Sequence, residues 1–388
     1  MSLSGLRRNT LRRTSLVSAA LLAGALITAC GSGTDTSSAA GGSPRGSAEC
    51  ASQSGDLVAD QLDAKAQAPY PTDALDASVV KGKNYWVVLL SAAVPTQADY
   101  AKGFQAAAVA AGAQAQVFDG KGTAATVIQG INAAIAAKAD GIITVAVDLS
   151  QIDQALADAA AAGIPVVDGS NGNPNAPFPK GNVGHVTLDS AEVGTWQANY
   201  ALKATGCDTH AVIVGTLSAP TSLAVVDGAK NQIASLCGDD CTTEVVDVRA
   251  TDLGPKLVGM LQTTLQRNPN TNVILSATNV YDPDIKQALS ALGRDIPVVS
   301  LQTEGVLAGN SDAGPLIANV VYAPATALGW FYFDGMIKAA AGQTNFAVKI
   351  PVAMIDESNW GTDPSTPQPP RYSGYEAEFA KLWSLKND

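Results

Sequence analysis

Residues 138–167 read KADGIITVAVDLSQIDQALADAAAAGIPVV. The apolar run at 141–147 is short and continuous, as in a strand that is covered on both faces. Residues 151–162 have the composition of a helix, and Gly163 stands where a C-cap glycine is expected. A second apolar run follows at once, at 164–167. The segment therefore predicts a β-α-β unit with parallel strands and a right-handed crossover.

The same alternation of apolar runs and Ala-rich helical stretches fills residues 84–187. A second series fills residues 190–300 and ends on Ile-Pro-Val-Val at 296–299, as the quoted segment does. We therefore predict an α/β protein of two similar Rossmann-like, doubly wound lobes, joined by a multi-strand hinge with a ligand cleft between them. Residues 302–322 are assigned to the N-terminal lobe, and residues 325–355 to the C-terminal lobe.

The N-terminus has the pattern of an export signal. Four arginines between positions 7 and 13 precede an apolar stretch at 16–29, which is shorter than the roughly 20 residues of a membrane span. It ends Ile27-Thr28-Ala29-Cys30, which resembles the lipobox of bacterial lipoproteins. We expect residues 1–29 to be removed and Cys30 to carry lipid. Two Arg-Arg pairs leave both Sec and twin-arginine export open.

The exported chain is then expected on the outer face of the cytoplasmic membrane, attached through its lipid anchor only. Residues 30–80 begin with a Gly/Ser/Thr-rich tether and continue into a helical or irregular lead-in. At the other end, residues 359–388 form an extension. Its pattern from Tyr375 to Trp383 is that of an amphipathic helix, and we expect it to pack on a lobe.

Cysteine usage fits an oxidising compartment. Apart from Cys30 the chain contains Cys50, Cys207, Cys237 and Cys241, so three disulfide pairings are open. The last two cysteines either close on each other, or one of them joins Cys207.

Composition argues against several classes of function. The chain has 35 acidic and 24 basic residues, a formal net charge of −11, which disfavours nucleic-acid binding. Histidine occurs only at His185 and His210, and neither lies in a metal-binding or triad pattern, so both are expected to be structural or solvent-facing. Phosphate-loop, dinucleotide-binding and nucleophile-elbow motifs do not occur. We expect no cofactor, no metal and no enzymatic activity.

Three short motifs carry a specific likeness. Residues 138–143 and 162–167 flank the quoted helix, and Val-Thr-Leu-Asp-Ser follows at 186–190, with a glycine at 194. In this order they resemble type I periplasmic binding proteins of the ribose/galactose-binding group, over about residues 84–355. The resemblance implies a monomeric solute receptor that delivers a small molecule to a membrane importer, comprising an ABC-type permease and its ATPase. A sensory receptor and an extracytoplasmic enzyme on the same fold remain alternatives.

Ligands of open α/β sheets lie beyond the carboxyl ends of the strands. Polar residues after predicted strands are therefore the candidate ligand contacts: Gln97, Asp148, Ser170, Asn171, Thr221, Ser222, Asn279, Tyr281, Gln302 and Tyr322. For Asp148, Thr221 and Ser222 the alternative to ligand contact is that each caps the helix that begins there. Gln302 is placed at the second crossover between the lobes, Tyr322 near the third, and Asp189 in the hinge.

The departures from the family pattern bear on the ligand. The resemblance implies stacking aromatic rings and arginines around a sugar, but the loop at 95–98 lacks an aromatic residue, and neither 168–171 nor 221–225 contains an arginine. A smaller or less polar ligand is expected, with sugar as the family default. The Pro/Asn/Gly-rich insertion at 171–181 is either a lid at the mouth of the cleft or a surface loop.

Overall fold

The computed structural model describes residues 47–63, 70–71, 73–303, 316–360 and 374–385. The predicted signal peptide, residues 1–29, and the predicted lipidation site at Cys30 lie outside these ranges, as does the tether up to residue 46.

The strands follow the predicted alternation with small shifts at their ends. They are β1 (Asn84–Leu89), β2 (Gln114–Asp119), β3 (Gly141–Val145), β4 (Val166–Gly169), β5 (Asn182–Thr187), β6 (His210–Gly215), β7 (Thr242–Asp247), β8 (Val273–Ser276), β9 (Val298–Thr303), β10 (Leu316–Tyr322), β11 (Phe346–Lys349) and β12 (Val352–Asp356).

The helices between them are α1 (Ser47–Leu62), α2 (Pro95–Ala110), α3 (Ala124–Ala136), α4 (Asp153–Ala161), α5 (Ser190–Thr205), α6 (Pro220–Cys237), α7 (Pro255–Arg267), α8 (Asp282–Leu292), α9 (Ala325–Ala340), α10 (Glu357–Trp360) and α11 (Tyr375–Leu382). Several begin with proline in the first turn, where the missing N–H costs no intrahelical bond.

The strands form two six-stranded sheets, which confirms the predicted fold class. The order in lobe one is β11-β5-β4-β3-β1-β2, and every pair in it is parallel. The order in lobe two is β12-β10-β9-β8-β6-β7, in which only the pair β10–β12 is antiparallel. The two sheets have the same layout, so the carboxyl ends of their central strands are available to a common cleft.

Each lobe brings two helices together through glycine. A Cβ on Gly103 of α2 would lie 1.9 Å from the carbonyl oxygen of Thr326, at the start of α9. In lobe two, a Cβ on Gly194 of α5 would lie 1.9 Å from the carbonyl oxygen of Val225 in α6. Since no real Cβ tolerates such a distance, both helix pairs require glycine at these crossings.

The assignment of the returning segments to lobes was wrong in part. Residues 302–322 were expected in lobe one, but β10 hydrogen-bonds to β9 in the sheet of lobe two. Residues 325–355 were expected in lobe two, but α9 packs on lobe one and β11 pairs with β5. The strand expected at 348–355 is two strands in different sheets, separated at Pro351, whose ring removes a backbone donor. The residues of a strand do not specify its partner strand, which is decided by tertiary pairing.

Between β1 and β12 the chain therefore crosses between the lobes three times: between β5 and α5, between β10 and α9, and between β11 and β12. Asp189, the predicted hinge residue, lies at the first crossover. There its carboxylate accepts a hydrogen bond from the backbone N–H of Glu192 and caps α5. Gln302, which was placed at the second crossover, lies inside β9 instead.

The two ends of the described chain pack on different lobes. Helix α1 packs against lobe two, where Cys50 is disulfide-bonded to Cys207, and Cys237 closes on Cys241. Helix α11 carries Phe379 into the aromatic core of lobe one, and the completely buried Trp383 follows it there. Residues 374–385 of the C-terminal extension thus pack on a lobe, as their amphipathic pattern predicted.

Candidate ligand-binding cleft

A cavity of about 350 Å³ lies between the carboxyl ends of the two sheets. We call it the inner chamber. Its walls are built by Val94, Thr96, Gln97, Tyr100, Ala146, Ser170, Gly172 and Leu328 of lobe one, by Thr187, Leu188, Ser190 and Tyr322 at the crossovers, and by Thr216, Ala219, Thr221, Ser222, Val225, Ala277, Thr278, Val280, Tyr281 and Leu301 of lobe two. Among the described residues, every side chain that lines it is uncharged at neutral pH.

Helix α2 provides two polar side chains of the lobe-one wall. Gln97 and Tyr100 are three positions apart, so both lie on the same face of the helix. The Gln97 side-chain oxygen accepts a hydrogen bond of 2.9 Å from the backbone N–H of Ser91, which ties the helix to the loop after β1. The first turn of α2 is thereby held in place beside the cleft.

Two residues of the lobe-one wall have strained backbones. Ala146 follows β3 with φ 57°, and Ser170 follows β4 with φ 59°. This left-handed conformation costs an L-residue roughly 1–2 kcal/mol. Ser170 Oγ also lies 2.5 Å from the hydroxyl of Tyr332, which is buried in α9. Strained residues of this kind concentrate at functional sites, and these two stand at adjacent strand ends in the cleft.

The lobe-two wall is a connected network of hydroxyl groups. Thr216 Oγ1 lies 2.8 Å from the Tyr281 hydroxyl, and the backbone N–H of Thr216 donates to Ser222 Oγ at 2.8 Å. These contacts join the end of β6, the first turn of α6 and the 3₁₀ turn before α8. The three loops are therefore positioned together and present their hydroxyl groups to one chamber.

The tyrosines of the inner chamber remain neutral over the physiological pH range. Burial raises the pKa of Tyr100, Tyr281 and Tyr322, because a phenolate loses its hydration there. The hydroxyls of Tyr100 and Tyr322 also hydrogen-bond to each other. The chamber thus offers hydroxyl donors and acceptors without charge.

A second cavity of about 490 Å³, which we call the outer chamber, adjoins the first. It is lined by Val147, Asp148, Leu149, Ser150, Asp153, Asn171, Asn173, Ala176, Pro177, Phe178, Pro179, His185 and Pro220, and it shares Ala146, Ser170, Ala219 and Thr221 with the inner chamber. The insertion at 171–181 forms one of its walls.

Asp148 lies in the outer chamber and acts there as a cap. Its carboxylate accepts hydrogen bonds from the N–H and hydroxyl of Ser150 and from the side chain of Gln151. These bonds, the one from the Ser150 hydroxyl first, lower the pKa of Asp148. Asp148 therefore has the capping role that the sequence offered as the alternative to ligand contact.

His185 is completely buried under the insertion. Its Nε2–H donates to the carbonyl oxygen of Ala176 at 3.2 Å, and its Nδ1 lies 2.9 Å from Asn171 Nδ2 and 3.2 Å from Asp168 Oδ2. The ring of Phe178 stacks on the imidazole at 4.4 Å. Burial raises the pKa of Asp168, opposed by its contacts with His185. His185 was expected to be either structural or solvent-facing, and its burial and contacts make it structural.

The structure brings most predicted ligand residues together. The inner chamber contains Gln97, Ser170, Thr221, Ser222, Tyr281 and Tyr322, and the outer chamber contains Asp148, Ser170, Asn171 and Thr221. Asn279 lines neither chamber, although its neighbours Thr278 and Val280 line the inner one.

Gln302 is completely buried within lobe two, outside both chambers. Its amide nitrogen donates to Asp282 Oδ2 at 3.2 Å. Alternation along β9 explains this, because Leu301 lines the inner chamber and the next side chain points to the opposite face.

Sequence reasoning missed Tyr100, Thr187, Ser190 and Thr216. Tyr100 was recoverable, since it stands three positions after Gln97 on a predicted helix. Thr216 directly follows β6, so it meets the same rule of a polar residue after a strand as the other candidates. Thr187 and Ser190 belong to the first crossover, which was interpreted as hinge alone.

Within the described ranges, no group of three or more histidine, cysteine or acidic residues is placed to hold a metal ion. The same part of the chain contains no helix of the length and apolarity that crossing a membrane requires.

Comparison with known proteins agrees with this architecture. An ABC transporter solute-binding protein from Agrobacterium vitis, bound with α-D-tagatopyranose, is 23% identical, covers 73% of this chain and 97% of its own, and superposes with a TM-score of 0.62. A periplasmic ribose ABC transporter protein from Conexibacter woesei is 20% identical, with 73% and 94% covered and a TM-score of 0.62. A solute-binding protein from Mycobacterium smegmatis with bound glycerol is 20% identical, with 72% and 95% covered and a TM-score of 0.61. No curated protein sequence matches this chain.

The profile of the family described as periplasmic binding protein domain matches residues 87–342. This range contains both sheets' central strands, two of the three crossovers and the residues of both chambers. The resemblance inferred from three short motifs is confirmed, and the chain belongs to the periplasmic binding protein family.

Proposed function

We propose that this protein captures a small neutral sugar or polyol in the inner chamber and delivers it to an ABC importer. The observation that carries the proposal is the lining of that chamber, which is rich in hydroxyl groups and contains no charged side chain among the described residues. Hydroxyl and amide groups exchange hydrogen bonds with sugar hydroxyls at little electrostatic cost. The sugar- and polyol-bound relatives from Agrobacterium vitis and Mycobacterium smegmatis support the same ligand class.

The size of the chamber supports a small ligand. Its volume of about 350 Å³ is near the lower end of the roughly 300–1,000 Å³ of ligand pockets. A monosaccharide or polyol fits this range, and an oligosaccharide exceeds it.

The proposed mechanism is closure of the lobes about the three crossovers. A ligand that hydrogen-bonds to both walls stabilises the closed arrangement by its differential affinity for the two states. The closed form then docks on a membrane permease, whose ATPase supplies the energy for import. In this role the protein holds its ligand without converting it.

We further propose that Cys30 carries the lipid that attaches the mature chain to the outer face of the membrane, with the residues up to 46 as a tether. Metabolic labelling with an alkyne-bearing fatty acid tests this. Label is expected on the natural chain and none on Cys30→Ala. Equal labelling of both would disprove the assignment of Cys30.

A thermal-shift and calorimetric screen of the purified chain tests ligand binding. We expect a sugar or polyol to stabilise the protein, by about 2.7 kcal/mol at a hundredfold excess over Kd. Mass spectrometry should recover the compound unchanged. If every neutral sugar and polyol leaves the protein unaffected, or if only charged solutes bind, the proposed ligand class is wrong.

A variant pair places the binding in the inner chamber. Tyr281→Phe removes a hydroxyl from the chamber, and we expect affinity to fall about tenfold, as when a polar ligand group loses its partner. Tyr200→Phe is the matched control, because it removes a phenol that hydrogen-bonds to Asp356 outside the chamber. Equal losses in the two variants would contradict the assignment.

A further inference from the structure

We propose that the outer chamber is a second subsite, which binds an apolar or aromatic substituent carried by the sugar in the inner chamber. The inference rests on the proposed function and narrows its ligand class from free sugars to glycosides with an apolar aglycone. Its starting point is continuity: Ala146, Ser170, Ala219 and Thr221 line both chambers. A substituent that leaves the sugar at this boundary therefore enters the outer chamber without crossing a wall.

The outer chamber contains a continuous apolar surface beside its polar groups. Pro177, Phe178 and Pro179 provide the apolar part of the insertion wall, beside Ala176 and two asparagines. Leu149 and Pro220 add further apolar surface from lobe one and lobe two. At about 490 Å³ it is larger than the inner chamber, so a monosaccharide alone leaves most of it to water. Displacing that water from apolar surface with a ligand group favours binding.

The insertion wall is held in place before any ligand arrives. The carbonyl oxygen of Ala176 accepts a hydrogen bond from His185, and the Phe178 ring stacks on the same imidazole. Asn173 Oδ1 accepts from the backbone N–H of Asn175, which fixes the turn in between. Because His185 is completely buried in lobe one, the wall is anchored to the core of that lobe. A preorganised wall gives up less entropy on binding than a loose loop.

The carboxylates of the outer chamber do not change this assignment. Asp148 and Asp153 are both exposed. Both oxygens of Asp148 already accept hydrogen bonds from Ser150 and Gln151. Apart from Asp153 and a few amide and hydroxyl groups, the surface left to contact a substituent is apolar.

Calorimetry with matched glycosides tests the inference. The probes are methyl and phenyl glycosides of ribose, arabinose, galactose and glucose, in both anomeric forms, titrated into the full chain. We expect at least one phenyl glycoside to bind about tenfold or more tightly than its methyl partner, from burial of the ring.

Variants then locate the ring. Ala176→Trp fills the outer chamber, and it should abolish the phenyl advantage while the methyl glycoside keeps its affinity. Asn175→Trp places the same side chain on the adjacent exposed position, outside the lining, and should retain the advantage. Leu149→Ser, which shortens the apolar wall without filling space, should reduce the advantage about threefold and serves if Ala176→Trp does not fold.

The outcomes separate the two proposals. If methyl glycosides bind and no phenyl glycoside binds more tightly, the second subsite is wrong and the proposed function stands. If the phenyl advantage survives both Ala176→Trp and Leu149→Ser, the ring lies elsewhere and the inference is again wrong. If no glycoside and no free sugar binds, the proposed function fails and the inference fails with it.

Discussion

Gly172 lies where the two lobes touch. Its φ of +81° belongs to the left-handed region, and a Cβ there would lie 2.6 Å from Ser190 Oγ and 2.7 Å from Thr221 Cγ2. Its backbone N–H donates to Thr187 Oγ1 at 2.7 Å, and its carbonyl oxygen accepts from the N–H of Ser190. One residue thus connects the insertion, the first crossover and the start of α6.

Gly172→Ala is expected to weaken both folding and ligand binding. The strained φ costs about 1–2 kcal/mol, and the added methyl group pushes Thr221 and lobe two away from lobe one. Ligand affinity should fall about tenfold in calorimetry, because closure becomes harder. Gly163→Ala is the control: its φ is +74°, with no atom within 4 Å of the new Cβ. It should lose only the strain energy, and an equal loss of affinity in both variants would contradict a role for Gly172 in closure.

Among the elements, α11 and the residue that follows it are attached to lobe one by several hydrogen bonds, one of which joins the buried side chains of Trp383 and Asp334. Trp383 Nε1–H donates to Asp334 Oδ1 of α9 at 2.8 Å, and the two indole rings of Trp330 and Trp383 stack at 5.2 Å. Burial raises the pKa of Asp334 to about 6, opposed by the bond from Trp383 and the charge of Lys338. Asp73, which pairs with Lys338, raises it slightly further.

This pKa predicts a pH dependence of stability. The folded protein binds the Asp334 proton more tightly than the unfolded chain, whose value is near 3.8. The stabilisation is complete below about pH 4 and is lost as the pH rises through 6. Asp334→Asn keeps an acceptor for Trp383 without the charge. In urea unfolding, the free energy of unfolding of the variant should therefore rise relative to that of the natural protein as the pH increases. The relative change should reach up to about 3 kcal/mol at pH 8.

The control for this series is Asp99→Asn, which neutralises an exposed carboxylate that pairs with Lys102. Its stability difference from the natural protein should vary little over the same range. If the stability difference between Asp334→Asn and the natural protein does not change with pH, the raised pKa of Asp334 is not its cause.

Helix α1 depends on a long-range disulfide. Cys50 and Cys207 are 157 positions apart, whereas Cys237 and Cys241 are four apart. In the chain-entropy account, the stabilisation grows with the length of the closed loop. Replacing the first pair by alanine should lower the free energy of unfolding by up to about 5 kcal/mol, and replacing the second by about 2 kcal/mol. Urea titrations of the two double variants measure this, and equal losses would contradict the loop-length explanation.

For the whole molecule, the inner chamber contains no charged side chain among the described residues, although the chain has a net charge of −11. Ligand affinity is therefore expected to be insensitive to both salt and pH. The affinity for a neutral ligand should change less than about twofold between about 20 mM and about 500 mM NaCl, because no charge pair is screened. It should also remain constant from about pH 5 to about pH 9, since burial keeps the tyrosines protonated. Calorimetry across both series measures this, and a strong dependence would mean that a charged group reaches the ligand.

Local features of the sequence were sufficient to predict the elements and the fold class. Apolar runs, helix-capping glycines such as Gly163 and the repeated Ile-Pro-Val-Val are local features, and local features decide where strands and helices begin and end. The rule that ligands bind beyond strand ends then selected six residues of the inner chamber, because it depends only on the order of the elements.

Three features became clear only from the folded chain: the sheet that each returning strand joins, the pairing of the cysteines and the set of polar residues that face the cleft. Strand β10 lies between β9 and β12, and its hydrogen bonds to both place it in lobe two. Leu301 and Gln302 are neighbours whose alternation sends one to the chamber and the other to Asp282. Asp148 follows a strand like the others, yet its own loop uses both carboxylate oxygens. The sheet that β10 joins and the pairing of the cysteines depend on contacts between residues far apart in the sequence, which no local pattern contains. For Leu301, Gln302 and Asp148 the local pattern allows two roles, and the position of the folded strand or loop selects one.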